Sequence, residues 1–158
     1  MLPFMSFSNI SKYTYISFHA FLWFLPISVN GQYSIARIWN EANIFAIEHD
    51  FTKPTVQARN LHHITAGMYD AWAVFDTIAK PYFLGKTVGG YAIPFTGLKK
   101  TKKLDIARAK AISYTAYRMI KSRYAKSPKS DKMNRYMDSL MVTLQYDTAF
   151  VSTDYSTG

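Results

Sequence analysis

Arg59, His62, His63 and Asp70 are the residues of this chain best suited by type and spacing to do chemistry. Arg59, His63 and Asp70 stand four and seven residues apart. At about 100° per residue those steps return to within some 40° of one helix face. A histidine between a guanidinium and a carboxylate could act as a general base, because the carboxylate orients the imidazole and raises its basicity. The same three groups could equally satisfy one another and nearby backbone inside a helical core, since buried charge must be paired whatever the function. The second reading is the expectation: the line is structural.

The His62-His63 doublet makes a poor metal site, because neighbours on a helix point about 100° apart. No H-E-x-x-H, four-ligand cluster or carboxylate pair at ligand spacing accompanies it. Glu41 and Glu48 could face the same region, and are expected to pair with Arg37, Arg59 or a histidine rather than to act as acids. No phosphate loop, nucleophile elbow or dinucleotide fingerprint is present, and Gly89-Gly90 alone means little. From sequence, then, no catalytic, cofactor-binding or metal residue is assigned.

These residues need helices to position them. Ser34 to about Glu48 reads as a first helix, with Ile35, Ile38, Trp39, Ala42, Phe45 and Ala46 in one stripe. Asp50 to Pro54 is a stop and restart: Thr52 can cap, and Pro54 suits a first turn. The second helix runs from Pro54 to about Thr77. Ala58, Leu61, Thr65, Met68, Trp72 and Phe75 fill one side, and Ile64, Ala71 and Val74 another. A helix apolar on nearly every side belongs in the centre of a bundle. Gly67 within it costs about 1 kcal/mol relative to Ala, which a closely crossing neighbour would explain.

Lys80 to Lys103, broken by Pro81, Gly85, Gly89-Gly90, Pro94 and Gly97 and anchored by aromatics, reads as a long ordered loop. A third helix is expected over Leu104 to Tyr124. Leu104, Ala107, Ala111, Ile112, Thr115, Ala116, Met119 and Ile120 should point inward, and Lys103, Lys110, Arg118 and Lys121 away. Ser130 or Asp131 should cap a fourth, carrying Met133, Tyr136, Met137, Leu140, Met141 and Leu144. The fold class is therefore all-α: about four helices of a bundle, preceded by a signal peptide. The tail from Gln145 is polar and turn-rich.

At 158 residues, half apolar and 16% aromatic, the chain can bury a core. It has no cysteine, so neither disulfides nor thiolate metal sites are possible. The net charge is +9, and residues 99–135 hold 13 Lys/Arg against Asp105 and Asp131. A solvated basic face is the simplest account, since no nucleic-acid module is recognisable. Residues 1–31 read as a secretory signal: Lys12, the apolar run Phe21 to Ile27, then Val29-Asn30-Gly31 before a cut at Gln32. The uncharged window from Tyr13 to Val29 falls short of the roughly 20 apolar residues of a spanning helix. Export to a periplasmic or extracellular location is expected, without stable membrane insertion and without nucleic acid as a partner.

Three phrases carry a resemblance: Ala36-Arg37-Ile38-Trp39-Asn40-Glu41, Pro54 through His63, and Met68-Tyr69-Asp70-Ala71-Trp72-Ala73. They resemble the N-terminal helices of secreted vanadium-dependent haloperoxidase-like proteins, in the phosphatidic-acid-phosphatase type 2 superfamily. The likeness covers Ser34 to Asp76 well and the rest to Gly158 more loosely. It implies a helical bundle holding vanadate or phosphate through Lys, Arg, a Ser/Gly loop and histidines. The chemistry implied is peroxide-driven halide oxidation, or phosphate transfer through a phosphohistidine. The family's signatures K-x6-R-P, P-S-G-H and S-R-x5-H-x3-D are absent; Ser122-Arg123 has no histidine after it, and all four histidines precede residue 64. The resemblance therefore implies an inactive N-terminal portion, residues 32–158, of a longer protein. Its partner would be the missing C-terminal helices, and the vanadate site would belong to them. The alternative is a small exported helical binding protein whose basic face engages acidic polymers or anionic lipid.

Overall fold

The structure, a computed structural model, describes residues 34–98 and 103–151. The expected signal peptide, part of the basic run at 99–103 and the end of the tail lie outside the described residues. Four helices and one small hairpin make up the rest: α1 (Ile35–Asp50), α2 (Pro54–Ala73), β1 (Lys86–Val88), β2 (Tyr91–Ile93), α3 (Leu104–Arg123) and α4 (Ser130–Thr143). The mostly helical class expected from periodicity is the class observed.

Ser34 caps α1, its hydroxyl accepting from the Arg37 N–H at 3.3 Å. The helix runs two residues beyond the expected end and stops at Phe51, whose backbone is left-handed at φ 54°, ψ 23°. That conformation costs a side chain with a Cβ about 1–2 kcal/mol and is usually left to Gly or Asn. Thr52 is not the cap of α2. Lys53 holds that place without a side-chain bond, and Pro54 supplies the preset φ of the first turn.

α2 ends at Ala73, four residues earlier than its apolar pattern suggests. Asp76 is the reason: its Oδ1 accepts from the N–H groups of Ile78 and Ala79, both at 2.8 Å, closing a turn that competes with the helix. Arg108 locks this turn from α3, donating to the Phe75 carbonyl at 3.0 Å and lying 3.5 Å from Asp76 Oδ2. The segment expected to be a long ordered loop contains an antiparallel hairpin, with Val88 opposite Tyr91. Gly89 and Gly90 both take positive φ (60° and 85°), as the right-handed twist of a two-residue hairpin turn requires.

α3, not α2, is the central helix, packing against α1, α2 and α4. Ile112, Ser113, Tyr114, Ala116, Tyr117 and Ile120 of α3 are buried, whereas the expected inward Leu104 is exposed. Trp39 from α1 is fully buried against it, its indole N–H donating to Ser113 Oγ at 3.0 Å. α4 adds Met133, Met137 and Met141, one per turn, each 2% exposed or less. The expected Ser130 or Asp131 cap does not form; Lys129 holds the cap position.

Gly67 of α2 sits where α3 crosses closely, as expected. A Cβ there would overlap the Met119 thioether and lie 3.3 Å from the Thr115 methyl. The smallest residue permits this approach, and the packing gained offsets its cost in helix propensity.

Candidate functional site

The line Arg59–His63–Asp70 does not act as a unit. Asp70, 4% exposed, turns toward the segment that follows α2. Its Oδ2 accepts from the backbone N–H groups of Phe83 and Leu84 at 2.8 and 3.0 Å, and its Oδ1 from that of Tyr82. Three main-chain donors converge on one carboxylate, so Asp70 anchors the entry to the hairpin. Asp70 and His63 each bond another element rather than each other.

His63 meets α3 instead. Arg123 Nη2 lies 2.7 Å from its Nδ1. Because a guanidinium can only donate, Nδ1 must be the acceptor and the ring proton must sit on Nε2. Burial, followed by the charges of Arg123, His62 and Arg59, holds the His63 imidazole below its ordinary pKa of 6.5. Arg59 itself is exposed on α2. His62 presents an edge to the Tyr82 ring, centroids 6.0 Å apart. Glu41 pairs with Arg37 at 3.0 Å, both side chains more than half exposed.

α3 and α4 are clipped together by a group the sequence did not advertise. Tyr117 donates to Asp138 Oδ1 at 2.6 Å, and Lys121 Nζ reaches the same oxygen at 2.8 Å and the Tyr117 hydroxyl at 3.0 Å. Burial raises the Tyr117 phenol, and its bond to Asp138 raises it further. Burial alone would raise Asp138, but the hydrogen bonds from Lys121 and Tyr117 outweigh it and leave the carboxyl below 3.8. The same bonds overcome the burial of Lys121 and leave its ammonium above 10.5. A protonated phenol and a fixed ion pair hold helices together; they do not exchange protons near neutral pH. Lys121, expected to point into solvent, is here because its four-carbon stem reaches across the helix contact.

Much of the basic window is likewise engaged with the protein itself. Lys110 Nζ lies 4.8 Å from the Phe150 ring, and Arg118 stacks 5.4 Å from the Tyr114 ring while donating to the Phe150 carbonyl. Lys132 donates to His49 Nε2 at 2.8 Å, the other ring nitrogen of His49 bonding the Phe45 carbonyl. The face is basic, yet it is not simply a solvated one.

An open cleft of about 520 Å³ is lined by Arg118, Met119, Ser122 and Arg123. Two smaller ones of about 260 Å³ each flank α2 and share Thr65 and Tyr69, one of them reaching Ala36 and Asn40 of α1 and Ile112 of α3. Together they form an apolar groove bordered by Ala66, Met68, Trp72 and Ile112. Ala58, Leu61 and Tyr69 are exposed on this side, Leu61 by 39% and Tyr69 by 42%. Ile64 and Ala71, on the other side, are buried, as is Met68 at the inner edge of the groove. The helix is thus apolar on two sides, one covered and the other covered only in part: Met68 and Trp72 pack on the core while Leu61 and Tyr69 remain exposed.

A vanadate or phosphate ion is implied by the resemblance, and the described residues do not form a site that fits it. Tetrahedral or trigonal-bipyramidal oxyanions need several cations and donors aimed at one point. Arg123 is directed to His63, Arg118 to the Phe150 carbonyl, and among the described residues no third cation lines the cleft with them. Among the described residues no three His, Asp or Glu side chains come together as a metal site. Nor is any described helix long and apolar enough to cross a membrane. No family model, no curated protein and no solved structure matches the chain.

Proposed function

We propose that these helices are the scaffold of an exported haloperoxidase-like or acid-phosphatase-like protein, with the oxyanion ligands carried by further helices that pack on the outer side of α2. The single observation that supports this reading is the partly uncovered apolar side of α2, where Ala58, Leu61 and Tyr69 face solvent beside an apolar groove. Large aliphatic and aromatic groups repeated at helical spacing on an exposed face mark a surface built to be packed upon. The resemblance supplies the identity of what packs there. In that role Asp70, the Asp76 turn and the Tyr117–Asp138–Lys121 clip set the geometry of a wall and take no part in the chemistry.

The test is to read the coding sequence beyond Gly158 for P-S-G-H followed by S-R-x5-H-x3-D, then assay the complete product. Vanadate-dependent halide oxidation, or phosphate-ester hydrolysis that vanadate inhibits, is the expected result. A gene that carries neither motif, or a product inert in both assays, would refute the reading.

A further inference from the structure

At the end of the bundle where α1 hands over to α2 and α3 to α4, one aromatic ring stands in solvent among lysines. Phe51 is 69% exposed and takes a left-handed backbone that glycine or asparagine would adopt with less strain. Nothing in the packing of the four helices requires a phenyl group there. Lys129 Nζ lies 5.0 Å from the ring centroid. Lys132, held by His49, sits one turn further along α4. Lys53 follows Phe51 by two residues, and Lys126 shares with Lys129 the turn between α3 and α4; both are exposed. Glu48, Asp50 and Asp131 are the acidic neighbours, so the four lysines still outnumber the carboxylates.

The geometry points to this end of the molecule as a docking surface for an anionic lipid bilayer, with Phe51 entering the headgroup region and Lys53, Lys126, Lys129 and Lys132 meeting the acidic headgroups. A ring at the tip of a turn reaches the acyl boundary only if the chain around it can rest at the surface. Long lysine stems allow that, since their ammonium ends stay at the headgroups while their methylenes follow the ring. A strained backbone that holds an apolar group outward is also the pattern expected of a contact residue rather than a packing residue. A purely electrostatic partner, such as a polyanion, would use the lysines and have no use for the ring. The inference stands apart from the scaffold reading, because it concerns the opposite character of surface and needs no further polypeptide.

Co-sedimentation of the full chain with phosphatidylcholine vesicles, with and without phosphatidylglycerol, tests it. Residues 1–33 are common to every variant, so the difference between proteins reads Phe51 and the lysines alone. The wild-type chain should bind phosphatidylglycerol vesicles, bind phosphatidylcholine alone far less, and release as salt rises. Phe51→Gly and Phe51→Asn should melt at or above the wild-type temperature yet bind about tenfold more weakly, as losing one inserted ring predicts. Lys129→Ser should cost about fivefold. Equal vesicle binding by wild type and both Phe51 variants would overturn the proposal. So would equal affinity for the two vesicle types, or no binding to either.

Discussion

Replacing Asp70 by asparagine is the most informative single change. The carboxylate is 4% exposed and accepts three backbone N–H groups, from Tyr82, Phe83 and Leu84. Asparagine keeps one acceptor oxygen and turns an N–H₂ group toward donors, so at least one main-chain bond is lost and another is opposed. Hydrogen bonds to a charged acceptor contribute about 1.5–3 kcal/mol each. Tyr82 is exposed and Phe83 and Leu84 half-buried, so water recovers part of that loss. A net cost of about 2–4 kcal/mol follows. For a unit of this size it corresponds to a melting temperature lower by about 6–15 °C. Urea melts give the free energy, and amide exchange localises it: Tyr82, Phe83 and Leu84 should lose protection more than amides of α3. A variant within about 0.5 kcal/mol of wild type, a scale typical of surface substitutions, would show that the three bonds are not what holds the loop to α2.

Further outcomes follow from the helix contacts. Gly67→Ala should be nearly neutral, because a gain of about 1 kcal/mol in helix propensity is set against displacing the flexible Met119 end. Gly67→Val should cost about 1–3 kcal/mol by overpacking, and denaturant melts of the pair would separate the two. Asp138 sits below 3.8 in the folded state, so its contribution is present above that pH and is lost as pH falls through the folded value. Lys121 sits above 10.5, so its share is present below 10.5 and is lost as pH rises through the folded value; Asp138→Asn should flatten the acid arm of a stability–pH curve. His63 is held below 6.5, so its contribution is present above pH 6.5 and is lost as pH falls toward the folded value. In His63→Gln that decline should disappear.

Helix positions were legible because apolar residues at three- and four-residue spacing fix which face is buried. Trp39, Ala42 and Ala46 of α1, and Met133, Met137 and Met141 of α4, fell where the pattern put them. The close crossing at Gly67 could also be read, since a mid-helix glycine is costly unless something approaches it. Rank within the bundle could not. α2 has the more apolar sequence, yet α3 is central, because Ser113, Tyr114 and Tyr117 find partners in Trp39, the Asp147 carbonyl and Asp138. Once paired, such polar groups can be buried, and periodicity does not report pairing. The hairpin at Gly89-Gly90 did carry a signal, two glycines between Thr-Val and Tyr-Ala-Ile, but its strands are only three residues long. The Arg59–His63–Asp70 line failed as a unit because spacing gives a face and not an orientation. Asp70 bonds the backbone of residues 82–84 and His63 bonds Arg123 of α3, while Arg59 stands exposed.

The alkylation rate of Leu61→Cys tests the scaffold account most directly, since the chain offers no other thiol. In the purified chain this cysteine, at a site 39% exposed, and one at Val142, 70% exposed on α4, should both be alkylated readily. If further helices lie over α2 in the protein isolated from the cells that make it, Val142→Cys should still react while Leu61→Cys is protected. Equal, rapid reaction of both cysteines in the native protein would mean that nothing packs on that face, and the account would fall.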